Sequence, residues 1–234
     1  MAMERYDSKL RLIIGFGDSI TAGVHLSPQD TYLYKLGAAF GCDTYNAGVP
    51  GQTTADALLR HHEEVLMNKP DLCILQFGMN DHVMEAPNRN KVPGTNFQAN
   101  LIKMIEEQKT HHISVLLCTI HPIIEGDTDT YYYNRHPQQW YGTKGANQWI
   151  SEYNQLIRDI AGHYGCMVAD VEVYWKLKIA STHRLESFIR TIENAGMDDG
   201  VHPTSLGQQL YYECLRETIV NGCGGEGYAA RNEE

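Results

Sequence analysis

The feature that most constrains the fold is an alternation of short apolar runs with longer stretches of helical periodicity. Apolar runs of this length, bounded by turn-forming residues, are typical of buried strands. Strands that alternate with helices pair in parallel, and the helices then cover both faces of the sheet. The sequence therefore predicts an α/β fold, a three-layer α/β/α sandwich around five parallel strands, placed at 12–16, 42–46, 72–77, 113–118 and 166–170.

Capping residues and one-sided apolar periodicity mark the helices between these strands. A serine or threonine followed three residues later by an acid or amide forms a capping box, and a serine followed by proline marks a first helical turn. The predicted helix starts are Ser27 with Pro28, Thr53 with Asp56, Thr95 with Gln98, and Ser205 with Gln208. We predict a surface loop over 85–94, and helical pieces without clear boundaries over 171–197.

The composition is that of an ordinary globular chain, 42% hydrophobic and 21% charged over 234 residues. This length suits a single domain, predicted over 1–221, followed by a glycine-rich acidic tail over 222–234. The net charge of -10 argues against a nucleic-acid partner. No apolar run approaches the length of a membrane span, so we expect no integral membrane association. The polar first six residues lack a secretory signal, which predicts a cytoplasmic location.

Polar or glycine-rich loops follow several of the predicted strands. Ser19, Gly51 and Asn80 lie in the loops after the first three strands, and a late loop adds Asp199 and His202. The carboxyl ends of parallel strands meet at one edge of the sheet, where ligands bind in open α/β folds. A nucleophile, oxyanion donors and an acid–base pair are the parts of an acyl-transfer site. Each residue taken alone is more typical of a turn or cap, but the ordered set favours a site.

Four sequence blocks carry a family resemblance, and they occur in the family's order. The chain resembles the GDSL/SGNH hydrolases, which are esterases and lipases. The resemblance implies a flavodoxin-like sandwich with a five-stranded parallel sheet, and hydrolysis of esters without a cofactor or metal. The matching blocks are Gly17-Asp18-Ser19-Ile20, Asn46-Ala47-Gly48-Val49-Pro50-Gly51, Gly78-Met79-Asn80-Asp81 and Asp199-Gly200-Val201-His202-Pro203, with Gly207 also fitting.

The resemblance also implies a role for each residue of the site. Ser19 would be the nucleophile, His202 the base, and Asp199 the acid that orients His202 in a catalytic triad. The backbone N–H groups of Ser19 and Gly51, with the side-chain amide of Asn80, would form the oxyanion hole.

Two positions within these blocks have competing neighbours. The second block offers both Gly48 and Gly51, and the family pattern favours Gly51. Asp198 adjoins Asp199, but Asp199 lies three residues before the histidine, so we interpret Asp198 as a solvated neighbour.

Other residues suggest alternative chemistry. Cys118 with His121 could indicate a thiol nucleophile, although a cysteine at a strand end is more often buried packing. The adjacent histidines at 61–62 and 111–112 are interpreted as solvated helix surface rather than metal ligands. An insertion over 119–145 holds aromatic residues that either form a loop core or subunit contact, or line a substrate pocket: Tyr131, Tyr132, Tyr133, His136, Trp140 and Tyr141.

The expected function is serine-dependent hydrolysis of a small-molecule ester. Polar and aromatic insertions without a long apolar lid favour short acyl groups such as acetyl, carried by a carbohydrate. The alternatives are a lysophospholipase or thioesterase type of lipolytic enzyme, and a non-catalytic binding domain on the same fold. A homo-oligomer is compatible with the sequence, which does not determine the oligomeric state.

Overall fold

The strands form one large sheet and one small hairpin. In the computed structural model, residues 10–126, 138–181 and 184–222 are described. The five-stranded sheet has the order β2-β1-β3-β6-β7, and all of its strand pairs are parallel. This confirms the predicted α/β fold and its parallel sheet. The strands within the described ranges are β1 (Leu12–Gly17), β2 (Asp43–Gly48), β3 (Leu72–Gln76), β4 (Met84–Ala86), β5 (Arg89–Asn90), β6 (Ser114–Cys118) and β7 (Met167–Ala169).

Helices flank the sheet. They are α1 (Ser19–Ala22), α2 (Tyr32–Phe40), α3 (Thr54–His61), α4 (Gly94–Thr110), α5 (Ala146–Tyr164), α6 (Val171–Ser181), α7 (Ile192–Ala195) and α8 (Ser205–Gly222). Helix α8 packs against α2 and α6, whereas α4 packs against α3 and α5, so the helices form two separate groups. None of the helices in the described ranges is long and apolar enough to cross a membrane.

The register of the sheet brings several loops to one edge. Gly17, the last residue of β1, aligns with Gly48 on one side and with Gln76 on the other. The chain therefore leaves β1, β2 and β3 at the same level, and the residues that follow these strands meet at one rim. The interior of the sheet is apolar, and all residues of β1 from Ile13 onward are buried.

Some predicted helix starts are correct and others are wrong. Thr53 and Asp56 form the predicted capping box of α3. Helix α2 is capped by Thr31 rather than Ser27, because Ser27 begins a separate 3₁₀ turn. Helix α4 begins at Gly94 without a side-chain cap, so the box expected at Thr95 and Gln98 does not form.

The last predicted capping box is also wrong, for a different reason. The side chain of Gln208 is buried and bonds to other elements of the fold. Its Nε2 donates to the carbonyl of Ile20 at 2.8 Å, and its Oε1 accepts the backbone N–H of Tyr32 at 2.9 Å. Gln208 thus ties α8 to the two helices that follow β1.

The end of β2 lies unusually close to α1. A Cβ atom on Gly48 would lie 2.2 Å from the backbone nitrogen of Ala22, a distance that the two backbones cannot accommodate unchanged. Asn46 stabilises this close contact between β2 and α1, because its Nδ2 donates to the carbonyl of Thr21 at 2.8 Å. Glycine at 48 is therefore explained by packing.

We expect Gly48→Ala to lower the free energy of unfolding by about 1–3 kcal/mol, the usual cost of overpacking a tight site. The matched control is Gly162→Ala on α5, where an added Cβ meets nothing within 4 Å among the described atoms. That variant should gain roughly 0.5–1 kcal/mol, because alanine is a better helix former. Denaturant titration measures both values, and a Gly48→Ala protein as stable as the parent would contradict the packing argument.

Candidate active site

Ser19 is the first residue of α1 and directly follows the turn out of β1. Asp18 caps this short helix, since its Oδ1 accepts the backbone N–H of Ile20 at 2.9 Å. The helix ends at Gly23, whose φ of 70° is left-handed. Ser19 is largely buried, and the tight turn directs its Oγ toward the loop before α8.

That loop carries Asp199 and His202. The Nε2 atom of His202 lies 3.0 Å from Ser19 Oγ, and its Nδ1 lies 2.8 Å from Asp199 Oδ2. Because the carboxylate can only accept, Nδ1 carries the hydrogen and Nε2 accepts the hydroxyl proton of Ser19. The structure therefore brings the three predicted side chains into one hydrogen-bonded line. Asp198, at the half-buried position before Asp199, is not the acid in that line.

Asp199 is ionised in this arrangement although it is buried. Burial by itself would raise the pKa of Asp199, but the hydrogen bond and charge of His202 and the backbone N–H groups of His202 and Val201 outweigh it. The pKa of Asp199 falls to about 2. An acid of this kind can hold the imidazole in one tautomer and stabilise its cation.

His121 hydrogen-bonds to the loop that carries Asp199 and His202. The sequence pattern suggests this residue only as a partner for a thiol. His121 Nε2 lies 2.8 Å from the carbonyl of Val201, and its Nδ1 lies 2.7 Å from the hydroxyl of Tyr211. Burial lowers the pKa of His121 to about 4, so the ring is neutral and Nε2 donates. Cys118 is buried, and burial raises the pKa of its thiol, which makes it a poor nucleophile.

Gly51 and Asn80 lie in neighbouring loops at the same rim. Asn80 Nδ2 donates one hydrogen to the carbonyl of Gln52 at 2.9 Å, which leaves its second amide hydrogen for another acceptor. Gly51 has a φ of 80°, a left-handed conformation that glycine adopts readily. Within the described part of the chain, the backbone N–H groups of Ser19 and Gly51 donate no hydrogen bond.

A model of the GDSL-like lipase/acylhydrolase family matches residues 16–210, which is most of the chain. The protein belongs to this family. The chain is also 31% identical over 216 residues to the uncharacterized lipoprotein YqeF of Bacillus subtilis (strain 168), with 88% of each chain covered.

Two solved structures have a similar fold. A lipase/acylhydrolase from Enterococcus faecalis is 27% identical and superposes with a TM-score of 0.69, covering 91% of this chain and 97% of that one. The acetylxylan esterase Axe2 from Geobacillus stearothermophilus is 18% identical, with a TM-score of 0.69 and coverage of 96% and 100%. At that identity the second likeness shows the shared SGNH fold.

Two further acids of the family blocks, Asp18 and Asp81, are buried beneath this rim. Asp81 Oδ1 accepts the backbone N–H and the hydroxyl of Thr54, at 2.9 and 2.5 Å. The Oδ2 atoms of Asp18 and Asp81 are buried without a hydrogen-bond partner among the described residues. Burial raises the pKa of Asp18 to about 7; the Ile20 N–H acts against this rise, and the charge of Asp81 adds to it. Burial likewise raises the pKa of Asp81 to about 6.

One prediction for a histidine pair of this GDSL-family chain is wrong. His61 is buried rather than solvated, because α3 packs this face against α4. Its Nδ1 lies 3.0 Å from Glu107 Oε2, and its Nε2 lies 3.0 Å from Gln108 Nε2. His62, His111 and His112 are exposed as expected. The described ranges contain no group of three or more side chains suited to holding a metal ion.

The aromatic insertion is described only at its two ends. Tyr141 is buried, and its hydroxyl accepts the backbone N–H of Met84 at 3.1 Å, so this residue belongs to the core. Trp140 is partly buried against the core. Residues 131–133 and His136 lie outside the described ranges, as does most of the predicted C-terminal tail. The predicted surface loop over 85–94 contains the β4–β5 hairpin.

Asp18 should make stability fall as pH rises. Its pKa is raised in the folded state, to about 7, above an unfolded value of about 3.9. The folded state therefore binds the proton more tightly, and the stability from Asp18 is present below about pH 4 and is lost as pH rises through about 7. We expect the free energy of unfolding of Asp18→Asn, measured relative to that of the parent, to rise by roughly 2 kcal/mol between pH 5 and pH 8.

Denaturant titration at the two pH values measures this change in stability. Asp56→Asn is the control with a pKa shift of opposite sign, because hydrogen bonds from Thr53 lower the pKa of Asp56. Because Asp56 titrates below pH 5 in both the folded and the unfolded state, the stability of this control relative to the parent should stay level between pH 5 and pH 8. A stability difference for Asp18→Asn that does not vary with pH would disagree with a protonated Asp18.

Proposed function

We propose that this chain is a carboxylic-ester hydrolase that uses Ser19, His202 and Asp199 as a catalytic triad. The observation that carries the proposal is the unbroken line from Ser19 Oγ through the imidazole to the Asp199 carboxylate, with contacts of 3.0 and 2.8 Å. A serine hydroxyl is a weak nucleophile by itself, and an adjacent oriented base activates it. Membership of the GDSL-like lipase/acylhydrolase family supports the same chemistry.

In the proposed reaction, Ser19 Oγ attacks the ester carbonyl while its proton passes to Nε2 of His202. The bond to the alcohol then breaks, and the imidazolium returns the proton to the departing oxygen. Water attacks the acyl-enzyme with His202 again acting as base, which releases the acid and restores Ser19. The ionised Asp199 stabilises the imidazolium in both halves. Turnover should decline on acidification, since a protonated His202 cannot accept the proton.

The oxyanion of each tetrahedral intermediate is assigned to three donors. They are the backbone N–H groups of Ser19 and Gly51 and the second amide hydrogen of Asn80. These donors are available in the structure, and the bond from Asn80 to the Gln52 carbonyl orients the amide. Preorganised donors of this kind are commonly worth about a hundredfold to a thousandfold in turnover.

For the substrate, we propose a short acyl group such as acetyl, carried by a polar alcohol of the carbohydrate class. Two exposed polar side chains lie at the site: the His25 ring stands next to the His202 ring, and Lys91 Nζ donates to the carbonyl of Gly51. Such a rim suits a polar leaving group better than a long alkyl chain. The fold shared with an acetylxylan esterase is compatible with this choice.

The nucleophile is tested by Ser19→Ala, assayed by release of p-nitrophenol from its acetate ester. We expect a fall in kcat of at least about a thousandfold, because the attacking atom is removed. Ser205→Ala, at an exposed position, is the matched control and should retain parental activity. Circular dichroism checks that both variants are folded. A folded Ser19→Ala protein with parental turnover would rule Ser19 out as the nucleophile.

The substrate class is tested by comparing p-nitrophenyl esters from acetate to palmitate with acetylated xylo-oligosaccharides, a lysophospholipid and an acyl thioester. We expect kcat/KM to be highest for acetyl esters and to fall by about tenfold or more at long chains. A preference for palmitate or lysophospholipid would establish the lipolytic alternative. Failure to hydrolyse any ester, together with no labelling by a fluorophosphonate probe, would support a binding domain.

A further inference from the structure

Arg190 brackets the loop that carries Asp199 and His202. Its backbone N–H donates to the carbonyl of His202, and its carbonyl accepts the N–H of Gly200, both at 2.9 Å. The neighbouring residue Ile189 forms an antiparallel bridge with Pro203. The segment before α7 therefore runs beside the acid–base loop as a short second strand. Arg190 is the residue of that segment that bonds to both ends of the loop.

The side chain of Arg190 turns back onto the same loop. The Arg190 side chain is only 12% exposed, and its Nε lies 3.9 Å from Asp199 Oδ2. That Nε–H is buried and has no hydrogen-bond partner among the described atoms, so it is a donor held next to the carboxylate. An arginine stays protonated at any working pH, and a buried charge requires a compensating one. Asp199 is the acid within ion-pair distance of this guanidinium in the described part of the chain.

The other end of the guanidinium reaches the turn that carries His25. Nη1 donates to the carbonyl of His25 at 3.4 Å, and Nη2 lies 3.5 Å from the sulfur of Met197. His25 has a φ of 66°, which is strained for a residue other than glycine. Its ring stands edge-on to the His202 ring, with 6.0 Å between centroids. Backbone strain that persists beside a reactive group indicates that surrounding contacts maintain it.

We propose that Arg190 is a positioning residue of this site, whose charge compensates Asp199 and whose hydrogen bonds hold the His202 loop and the His25 turn together. This inference rests on the proposed function only for the assignment of Asp199 and His202 as the acid–base pair. Arg190 does not touch the reacting atoms. It acts through Asp199, because its positive charge compensates the negative charge of the carboxylate when the imidazole is neutral.

The charge of Arg190 affects how turnover depends on pH. Among the described residues, the titratable and charged groups around the His202–Asp199 pair are His25 from the turn after α1, His121 from the end of β6, Arg190, and Asp198 next to Asp199. His121 is neutral, so Arg190 is the fixed cation of this set. Removing it takes the nearest fixed positive charge away from Asp199, and the carboxylate then favours the protonated imidazole more strongly. The acid limb of the pH–rate profile should then move to higher pH.

The test compares Arg190→Met, Arg190→Lys and the control Arg184→Met. Arg184 lies on the same segment but is exposed, so its variant makes the same charge change away from the site. For Arg190→Met we expect kcat to fall by roughly tenfold to a hundredfold, with KM little changed, because the acid–base geometry loosens. We expect its acid limb to rise by about half to one pH unit. Arg190→Lys should restore the limb but only part of kcat, and the control should match the parent.

A second readout does not depend on hydrolysis. In a Ser19→Ala background, NMR titration of the histidine ring protons compares His202 with and without Arg190→Met. An upward shift of the titration midpoint agrees with the proposal even if no ester is turned over, in which case only the proposed function fails. An unmoved midpoint and an unmoved acid limb in a folded Arg190→Met protein would overturn the proposal and leave Arg190 a structural residue.

Discussion

The contact on which this structure depends joins the first strand to the last loop. Ser19 and His202 are 183 residues apart, and their hydrogen bond forms only if the start of the chain and helix α8 are held in one register. Gln208 supplies that register, since its buried amide bonds to Ile20 and to Tyr32 on the helices after β1. Buried amide groups cost free energy unless both their donor and acceptor are satisfied. Both are satisfied here, so any slip of α8 is penalised.

A buried polar network continues this tie beneath the rim. Thr21 bonds to the hydroxyl of Tyr32 at 2.8 Å and to Oε1 of Gln76 at 2.9 Å. The ring of Tyr32 stacks on that of Tyr211, and the Tyr211 hydroxyl bonds to His121 beneath the acid–base loop. Hydrogen bonds are stronger inside a protein than in water, so these contacts favour the arrangement in which Thr21, Tyr32, Tyr211 and His121 keep their partners. Buried hydrogen bonds therefore connect the strands and helices beneath the site, while the reactive groups lie at the rim above them.

The parts that the sequence could predict are those determined by local chemistry. Apolar runs predicted the strands. The order of the family blocks predicted that Ser19, Asn80 and His202 lie at the same edge of the sheet. The capping box at Thr53 and Asp56 formed because both partners lie within one turn. The same pattern failed at Ser205 and Gln208, where a tertiary partner competes successfully for the amide. Local rules cannot anticipate such a competitor.

The roles of His121 and Arg190 are missed for the same reason. Neither residue belongs to a motif, and each is defined by what the fold places against it. A histidine at a strand end and an arginine in a polar segment are ordinary surface candidates until β6 and the segment before α7 are brought under the acid–base loop. The sequence signal for these two residues is their position along the chain. His121 follows a predicted strand, and Arg190 precedes the last family block.

Three aspartates of the family blocks show how the fold gives chemically identical groups different pKa values. Asp199 is buried among donors, which lower its pKa. Asp18 and Asp81 are each buried with one oxygen that has no hydrogen-bond partner among the described residues, and burial raises their pKa values. Acid–base roles are commonly divided by environments that push pKa values apart in this way. Under the proposed function the division has a use. A fixed negative charge belongs beside the imidazole, which becomes a cation, and would be harmful next to Ser19, where the oxyanion forms. The raised pKa of Asp18 reduces the negative charge at that second position, so this acid opposes the oxyanion less than an ordinary ionised aspartate would.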